Sequence, residues 1–485
     1  MATYIFETIT AAQASAITTA DSVVVQNGNA AQASVVYNAA TPTTAESITL
    51  TLGGKSVVFN TAIATIAQGN NVVMPDGSLL YIGYTANDAF TGSANADGAF
   101  GGTGTDTLDG GAGNDVLQGN QGADSLVGGS GNDTVYGGQD GDTITAGSGT
   151  NFAQGNKGAD SIVGGTSADT LLGGQDNDTI TGGGANDFLN GNLGDDTVGG
   201  GAGTDQIFGE DGNDTLNGGA GGADVLNGGV GADSITSGTD SATIWGGSGN
   251  DSIVVGGGGT VNGQEGLDSI TGTNQGTAGG ETLSGGQDND SINGAGGLDV
   301  LNGNEGNDTI VGGGNNESIL GEAGDDTLQG LAGNDTITGG EGADSIAGAA
   351  GTDSISGGDN NDTIDGGAGK DTILGGAGAD RFVLSTLGDS GTTAGSFDLI
   401  NDWDSSDTLD FVGAGTSYAE STAASFDAAV TIANAAIAGG TDVVAVQVGT
   451  DVVVFADTGN DNATYDDAIV LVGKSLTDIA GTNIV

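Results

Sequence analysis

The chain has 485 residues, a net charge of -59, 100 glycines, 2 prolines, no cysteine and no histidine. Without cysteine there are no disulfides or thiolate metal sites, and without histidine there is neither a Ser-His-Asp triad nor an HExxH zinc site. Only Lys55, Lys157, Lys370, Lys474 and Arg381 offset 64 acids, so nucleic acid and anionic lipid are excluded as partners and cations are the natural ones. The opening MATYIFETIT has neither a basic n-region nor an apolar h-region, so it is not a Sec-type leader, and no apolar run approaches the ~18 residues that span a bilayer.

Residues 1–95 are rich in Ala, Thr and Val. They read as a small β domain, with strands at SVVVQ (22–26), SITLTL (47–52), SVVFN (56–60), NVVMP (71–75) and SLLYIGY (78–84). Gly53-Gly54 and Pro75-Asp76-Gly77 read as hairpin-type turns, and a short helix is expected around Ile9–Thr18. From 96 to 383 a nonapeptide repeat takes over. Acids fall in steps of nine from Asp106 to Asp214, with Asn151 replacing one, and continue after one inserted residue through Asp224, Asp233 and Asp251. The phase breaks across 256–280, then runs unbroken from Glu281 to Asp380. The third region, 384–485, begins with FDLINDWDSSDTLDF (397–411). An Ala-rich amphipathic stretch (419–440) then predicts a helix ended by Gly439. Strands at 442–448 and 451–457 flank Gly449-Thr450, and 467–479 reads as a last strand and tail.

Each repeat reads Gly-Gly-x-Gly-x-Asp-x-U-x, with U aliphatic. Glycines at positions 1, 2 and 4 favour positive φ and a tight turn over regular structure, whereas DTIT or DSIV alternates with the period of a strand. Position U points inward, as at Leu117, Leu126, Val135 and Ile144. One turn and one short strand per nine residues give a coil with two repeats per rung.

Rungs ~4.8 Å apart place Asp335 beside Asp353 and Asp344 beside Asp362. Carboxylates ~5 Å apart repel by about 0.8 kcal/mol in water and about 3 kcal/mol at a surface-like dielectric. A hard divalent cation reverses that sign. Calcium fits best, because it takes six to eight oxygens and accepts the backbone carbonyls that the glycine turns expose, whereas magnesium demands tighter geometry. The expected ligands are Asp106, Asp115, Asp124, Asp133, Asp142, Asp160, Asp169, Asp178, Asp187, Asp196, Asp205, Asp214, Asp224, Asp233 and Asp251 in the first block. In the second they are Asp290, Asp299, Asp308, Asp326, Asp335, Asp344, Asp353, Asp362, Asp371 and Asp380. Asn151, Ala242 and 256–280 are expected to be weak or absent ion sites, and Glu281 and Glu317 are longer substitutes. About one ion per nonapeptide would nearly cancel the net charge, and the thin core makes ion binding part of the folding free energy.

These nonapeptides resemble the repeats-in-toxin (RTX) family. The resemblance implies a right-handed parallel β-roll, many Ca2+ ions held between turns, a chain disordered in calcium-poor cytosol, and folding after export by type I secretion machinery. GGAGADRFVL (375–384) and the 397–411 segment resemble the family's last repeat and cap, and DAIVLVGKSLTDIAGTNIV resembles its C-terminal export signal. The expected fold class is therefore all-β: a β-roll between a small N-terminal β domain and a C-terminal β cap containing one helix.

No catalytic motif survives inspection. Gly54-Lys55-Ser56 and Gly473-Lys474-Ser475 lack the earlier P-loop glycine, which is Thr49 or Ala468 here. Asp404 and Asp407 suit capping or calcium ligation better than a glycosidase dyad. Trp403 reads as a packed cap residue and Trp245 as an edge of the roll core. The stacked Thr134, Thr143, Thr170 and Thr179 read as an ordinary outward β surface. With no enzyme expected, the plan resembles Gram-negative surface-layer proteins. It implies a secreted or cell-surface, calcium-dependent structural protein that assembles with itself into a lattice or filament, with cell-surface polysaccharide a further partner. The alternative is a biofilm-matrix protein or adhesin.

Overall fold

The computed structural model describes residues 2–41, 44–68, 72–273, 279–385, 396–458 and 464–485, which form two compact units, 1–239 and 240–485. In the first unit, β1 (Thr3–Ile5), β2 (Ser22–Val24) and β6 (Val72–Val73) make a parallel sheet. An antiparallel meander joins β3 (Ser34–Asn38), β4 (Ser47–Leu52) and β5 (Lys55–Phe59), with Gly53 and Gly54 at positive φ in the tight turn. The domain is not purely β. Helix α1 spans Ala11–Ser15, held by a Thr10/Gln13 capping box, and α2 spans Ala62–Gln68, buried through Ile63, Ala64, Ile66 and Ala67. These elements close over a core that includes Phe6, Ile48, Leu50, Phe59 and Ile66.

Pro75–Gly77 is a turn but not a hairpin, because β6 pairs with β2 while β7 (Leu80–Ile82) pairs in parallel with β9 (Gly98–Thr103). Asn71, at the start of the expected 71–75 strand, lies outside the described residues. Strand β8 (Ala89–Thr91) likewise pairs with β10 (Thr107–Asp109). From there two parallel ladders alternate, each strand pairing with the one eighteen residues on, or nineteen across the residue inserted before Asp224. The first continues from β9 through Val116–Gln121, Thr134–Gln139 and Phe152–Lys157. The second continues from β10 through Ser125–Ser130 and Thr143–Ser148. Strand pairing thus reaches back to Leu80, ahead of the nonapeptide block drawn at 96.

Most of the ladder strands are longer than three residues. Ser125–Ser130 runs through Gly128 and Gly129 to position 3 of the next repeat, with Gly129 at φ +106. Gly129 pairs with Gly147, its equivalent one rung away, so the ladder passes through the bend instead of stopping at it. Between the ladders the U residues stack in columns; Leu117, Leu126, Val135 and Ile144 are each 0 % exposed.

In the second unit two parallel ladders of the same kind run from Ala242–Ser248 and from Ser252–Val255. They persist through the 256–280 region, where Thr260–Glu265 pairs on both sides and Ser269 pairs with Ser252 and Ser291; residues 274–278 lie outside the described residues. They also run past 383, with Asp398–Ile400 pairing with Thr372–Ala377 and Thr408–Phe411 pairing with Arg381–Leu384. Strands Val443–Val448, Asp451–Ala456 and Asp467–Leu471 then form an antiparallel cap.

The predicted helix over 419–440 is shorter. Tyr418–Ala423 is a strand parallel to Val443–Val448, and α3 spans Phe426–Ile437 behind an N-cap at Ser425, whose hydroxyl accepts from Ala428 N–H. Gly440, not Gly439, carries the positive φ after the helix. Ala429, Ala433 and Ile437 pack into a core with Phe397, Val444 and Phe455.

Candidate metal centre

All twenty-five aspartates expected as ligands are buried, at 0–3 % exposure. Each falls just before a strand, except Asp224, which begins one, and the columns they form are hydrogen-bonded from rung to rung. In one column of the first unit, the backbone N–H of Asp106 donates to Asp124 Oδ1 at 2.7 Å. The same bond links Asp124 to Asp142, Asp142 to Asp160, Asp160 to Asp178 and Asp178 to Asp196, at 2.7–2.8 Å. In the second unit Asp335 donates to Asp353 Oδ1 and Asp344 to Asp362 Oδ1, each at 2.8 Å. The neighbours expected from the repeat length are therefore the neighbours observed.

Oδ1 is thus satisfied, but Oδ2 is not. In Asp106, Asp124, Asp142, Asp160, Asp178 and Asp196 it is buried and has no hydrogen-bond partner among the described residues. An ionised oxygen left this way is strongly unfavourable in a dry interior. It points at the glycine five residues upstream: a Cβ on Gly119 would lie 2.1 Å from Asp124 Oδ2 and 2.7 Å from the Gly137 carbonyl oxygen of the next rung. Gly173 stands in the same relation to Asp178 Oδ2 and the Gly191 carbonyl, at 2.2 and 2.7 Å. Glycine at position 1 of the repeat leaves open a cradle bordered by a carboxylate oxygen and a peptide carbonyl. Among the described residues no three acidic side chains converge on one point, so a cation here draws on carbonyls as much as on carboxylates. That oxygen-only donor set suits a hard divalent cation.

Asn151 supplies an internal comparison. Its Oδ1 accepts from Asp133 N–H at 2.9 Å and its own N–H donates to Asp169 Oδ1 at 2.8 Å, so it keeps the ladder. Its Nδ2 then donates to the Gly149 carbonyl at 2.9 Å. Where aspartate has an oxygen with no proton to give, the amide makes the missing bond itself, which is the physical basis for expecting a weak or absent ion site there.

Electrostatics agree with the geometry. Burial pushes the carboxyls of Asp142 and Asp178 up to about 8. It carries Asp115, Asp124, Asp214, Asp326 and Asp362 to about 7. In each the backbone N–H of the preceding rung opposes the rise, and carboxylates of neighbouring rungs add to it. Glu317 is raised to about 8 by burial and then by Asp335, and both its carboxyl oxygens are buried without partners. Its extra methylene disturbs the frame that aspartate fits.

The columns hold acids that the sequence reading left out. Asp97 accepts from Leu79 N–H and donates to Asp115 Oδ1, and Asp88 donates to Asp106 Oδ1. Stepping back by nines from Asp106 reaches both. Asp268, inside the irregular 256–280 stretch, links Asp251 to Asp290 with an unpartnered Oδ2. Asp398 and Asp407, nine apart, accept from Asp371 and Asp380 N–H and end the two columns. Asp407 therefore ends a column and Asp404 lies in the adjoining turn, its N–H donating to Asp407 Oδ2. Trp403 is fully buried against Phe382, its Nε1–H donating to the Asp478 carbonyl, whereas Trp245 lies 37 % exposed on the outward side of its strand.

The family model of the RTX calcium-binding nonapeptide repeat (4 copies) matches in overlapping or adjoining segments over residues 82–261 and 275–382. Similar solved structures include the AlgE6R2 subunit of the Azotobacter vinelandii mannuronan C5-epimerase, at 28 % identity over 34 % of this chain and 91 % of that one, with a TM-score of 0.18. The AlgE6R3 subunit of the same enzyme is 29 % identical over 34 % of this chain and 80 % of that one, with a TM-score of 0.14. No curated protein matches. Repeat, buried acid columns and family match agree: the chain belongs to the RTX family of calcium-binding nonapeptide repeat proteins.

Proposed function

We propose that this is a secreted structural protein whose roll folds on binding calcium, about one ion per nonapeptide, and which then assembles with itself at the cell surface. The observation that carries the reading is the set of buried Asp Oδ2 atoms, each beside a glycine cradle and a peptide carbonyl. Closing such columns without cations places repelling, desolvated carboxylates one rung apart, so the folded state is favoured where free calcium is abundant, as it is outside cells. Neutralisation of the -59 charge by bound ions removes the main barrier to contact between copies. The part proposed for the acid columns is structural and not catalytic. In the absence of histidine, their carboxylates are already committed to the ladder.

Calcium titration of the purified chain, followed by circular dichroism, tests the folding step, and electron microscopy of the calcium-loaded protein tests assembly. Full β structure in chelator overturns ion-driven folding. A monodisperse monomer at saturating calcium overturns self-assembly.

A further inference from the structure

The two acid columns within each unit are not alike. In the first unit the column from Asp88 to Asp233 is aspartate at every rung, each backbone N–H donating to the Oδ1 of the next. In the second unit the column from Asp251 to Asp407 is equally uniform. Departures from aspartate fall in the other column: Asn151 in the first unit, and Ala242, Gly259, Glu281 and Glu317 in the second.

The cradle glycine changes with the acid. Glu317 keeps it as Gly312, but Asn151 has Ala146 and Ala242 has Ser237 five residues upstream. Gly259 stands in the acid's place before Thr260, and Val255 pairs with Gly272, the glycine beside the Glu281 carboxyl. The backbone does not demand glycine at this position, because φ is not positive at Gly119, Gly137 or Gly173. What demands it is room beside the carboxylate, and where the carboxylate is lost a side chain takes that room. Ala146 and Val255 are each 0 % exposed, and a Cβ on Gly259 would lie 2.5 Å from Val255 Cγ2. Polar atoms at these turns find partners within the chain: Asn151 Nδ2 donates to the Gly149 carbonyl, and the Val255 carbonyl accepts from Thr273 N–H at 2.9 Å. The adjoining cradle is left whole, since a Cβ on Gly128 would lie 2.3 Å from the Ala146 carbonyl oxygen and 2.8 Å from Asp133 Oδ2.

We propose that the turns 146–151 and 255–259 are closed by their own side chains and take no ion, so that each unit carries calcium in one unbroken row and one interrupted row, and that these closed turns keep their shape when calcium is withdrawn. Neither turn has a carboxylate at its column position, so neither needs a cation to offset the desolvation of one. As calcium falls, both turns should stay formed after neighbouring turns have opened. This inference rests on the reading of the acid columns as calcium sites.

Native mass spectrometry of the calcium-loaded full chain counts the bound ions and tests the first part. Ala146→Gly combined with Asn151→Asp should gain one ion over the parent, and Asn151→Asp alone should gain none. Hydrogen exchange at the calcium concentration that halves the circular dichroism signal tests the second. Amides of 146–152 should exchange roughly tenfold more slowly than those of 155–161, whose turn keeps Gly155 and Asp160, and the double variant should lose that difference. Should the double variant fail to fold in calcium, Gly155→Ala combined with Asp160→Asn gives the converse: one ion fewer, and slower exchange over 155–161. An ion gained by Asn151→Asp alone, none gained by the folded double variant, or equal exchange in the two turns of the parent overturns the inference and leaves calcium-driven folding standing. A parent that binds no calcium overturns both.

Discussion

Replacing Asp115 by Asn should change stability in opposite directions with and without calcium. Asp115 is 1 % exposed; its Oδ1 accepts from Asp97 N–H at 2.7 Å, its N–H donates to Asp133 Oδ1 at 2.8 Å, and its Oδ2 has no partner among the described residues. Burial, then the charges of Asp133 and Asp97, raise its carboxyl from 3.8 to about 7. At pH 8 the ionised side chain therefore disfavours the ion-free fold by about 4 kcal/mol, at 1.36 kcal/mol per pH unit. Water entering an ion-free turn lowers that to about 2 kcal/mol. An amide removes the charge, keeps Oδ1, and turns an N–H toward the Gly113 carbonyl, as Asn151 does toward Gly149. In chelator Asp115→Asn should thus stabilise the roll by about 2–4 kcal/mol. In calcium about a thousandfold above the Kd of the site it should destabilise, because binding there contributes about 4.1 kcal/mol, which outweighs the relieved penalty. Urea unfolding at pH 8, followed by circular dichroism with sodium sulfate present to support the ion-free fold, reads both signs. If Asp115→Asn unfolds at lower urea than the parent in chelator as well, the orphaned oxygen is not the strained element and the reasoning fails.

Gly119→Ala places a methyl 2.1 Å from Asp124 Oδ2 and should abolish calcium binding at that turn; calorimetric stoichiometry lower by one ion or more checks this. In chelator the roll should be most stable below about pH 4 and lose stability as pH rises to about 8. The folded state binds protons through carboxyls raised to about 7–8 that the unfolded chain has already released, so the unfolding midpoint should fall steadily across that window. Asn151→Asp should destabilise in chelator, and should add a bound ion in calcium only when combined with Ala146→Gly, because the Ala146 methyl already fills the cradle of that turn. Ile337→Ala, at 1 % exposure in the roll core, should cost about 2–5 kcal/mol in calcium by the same urea assay.

The roll was legible because its period is chemical as well as numerical. Asp and the aliphatic residue two positions later recur together, so the rung length, the inward column and the carboxylate neighbours all follow from counting. What counting missed were departures from the consensus that keep only the aspartate. Asp97 precedes Gly-Ala-Phe and Asp268 sits in an irregular stretch, yet both are held by the same backbone bond, which depends on the side chain and not on flanking glycines. The glycine runs misled in the other direction: they suggested turns alone, whereas stacking on equivalent glycines lets them join the ladder. In the N-terminal domain, α2 is only seven residues long and was hidden among β-prone neighbours, its helical state fixed by burial of Ile63 and Ile66. The 418–423 strand was absorbed into an alanine-rich helix because composition does not show where Ser425 begins the cap.

The hydrogen bond that joins neighbouring rungs gives each column a head and a tail. Apart from Glu317, the column carboxylates are gripped by amides that come earlier in the chain, and the first grip in the Asp97 column is supplied by Leu79, outside the repeat. Trimming a unit from its C-terminal side strands only a neutral N–H, which water can satisfy. Cutting from the N-terminal side releases a negative oxygen next to others like it, so the front edge of the column is the costlier one to lose.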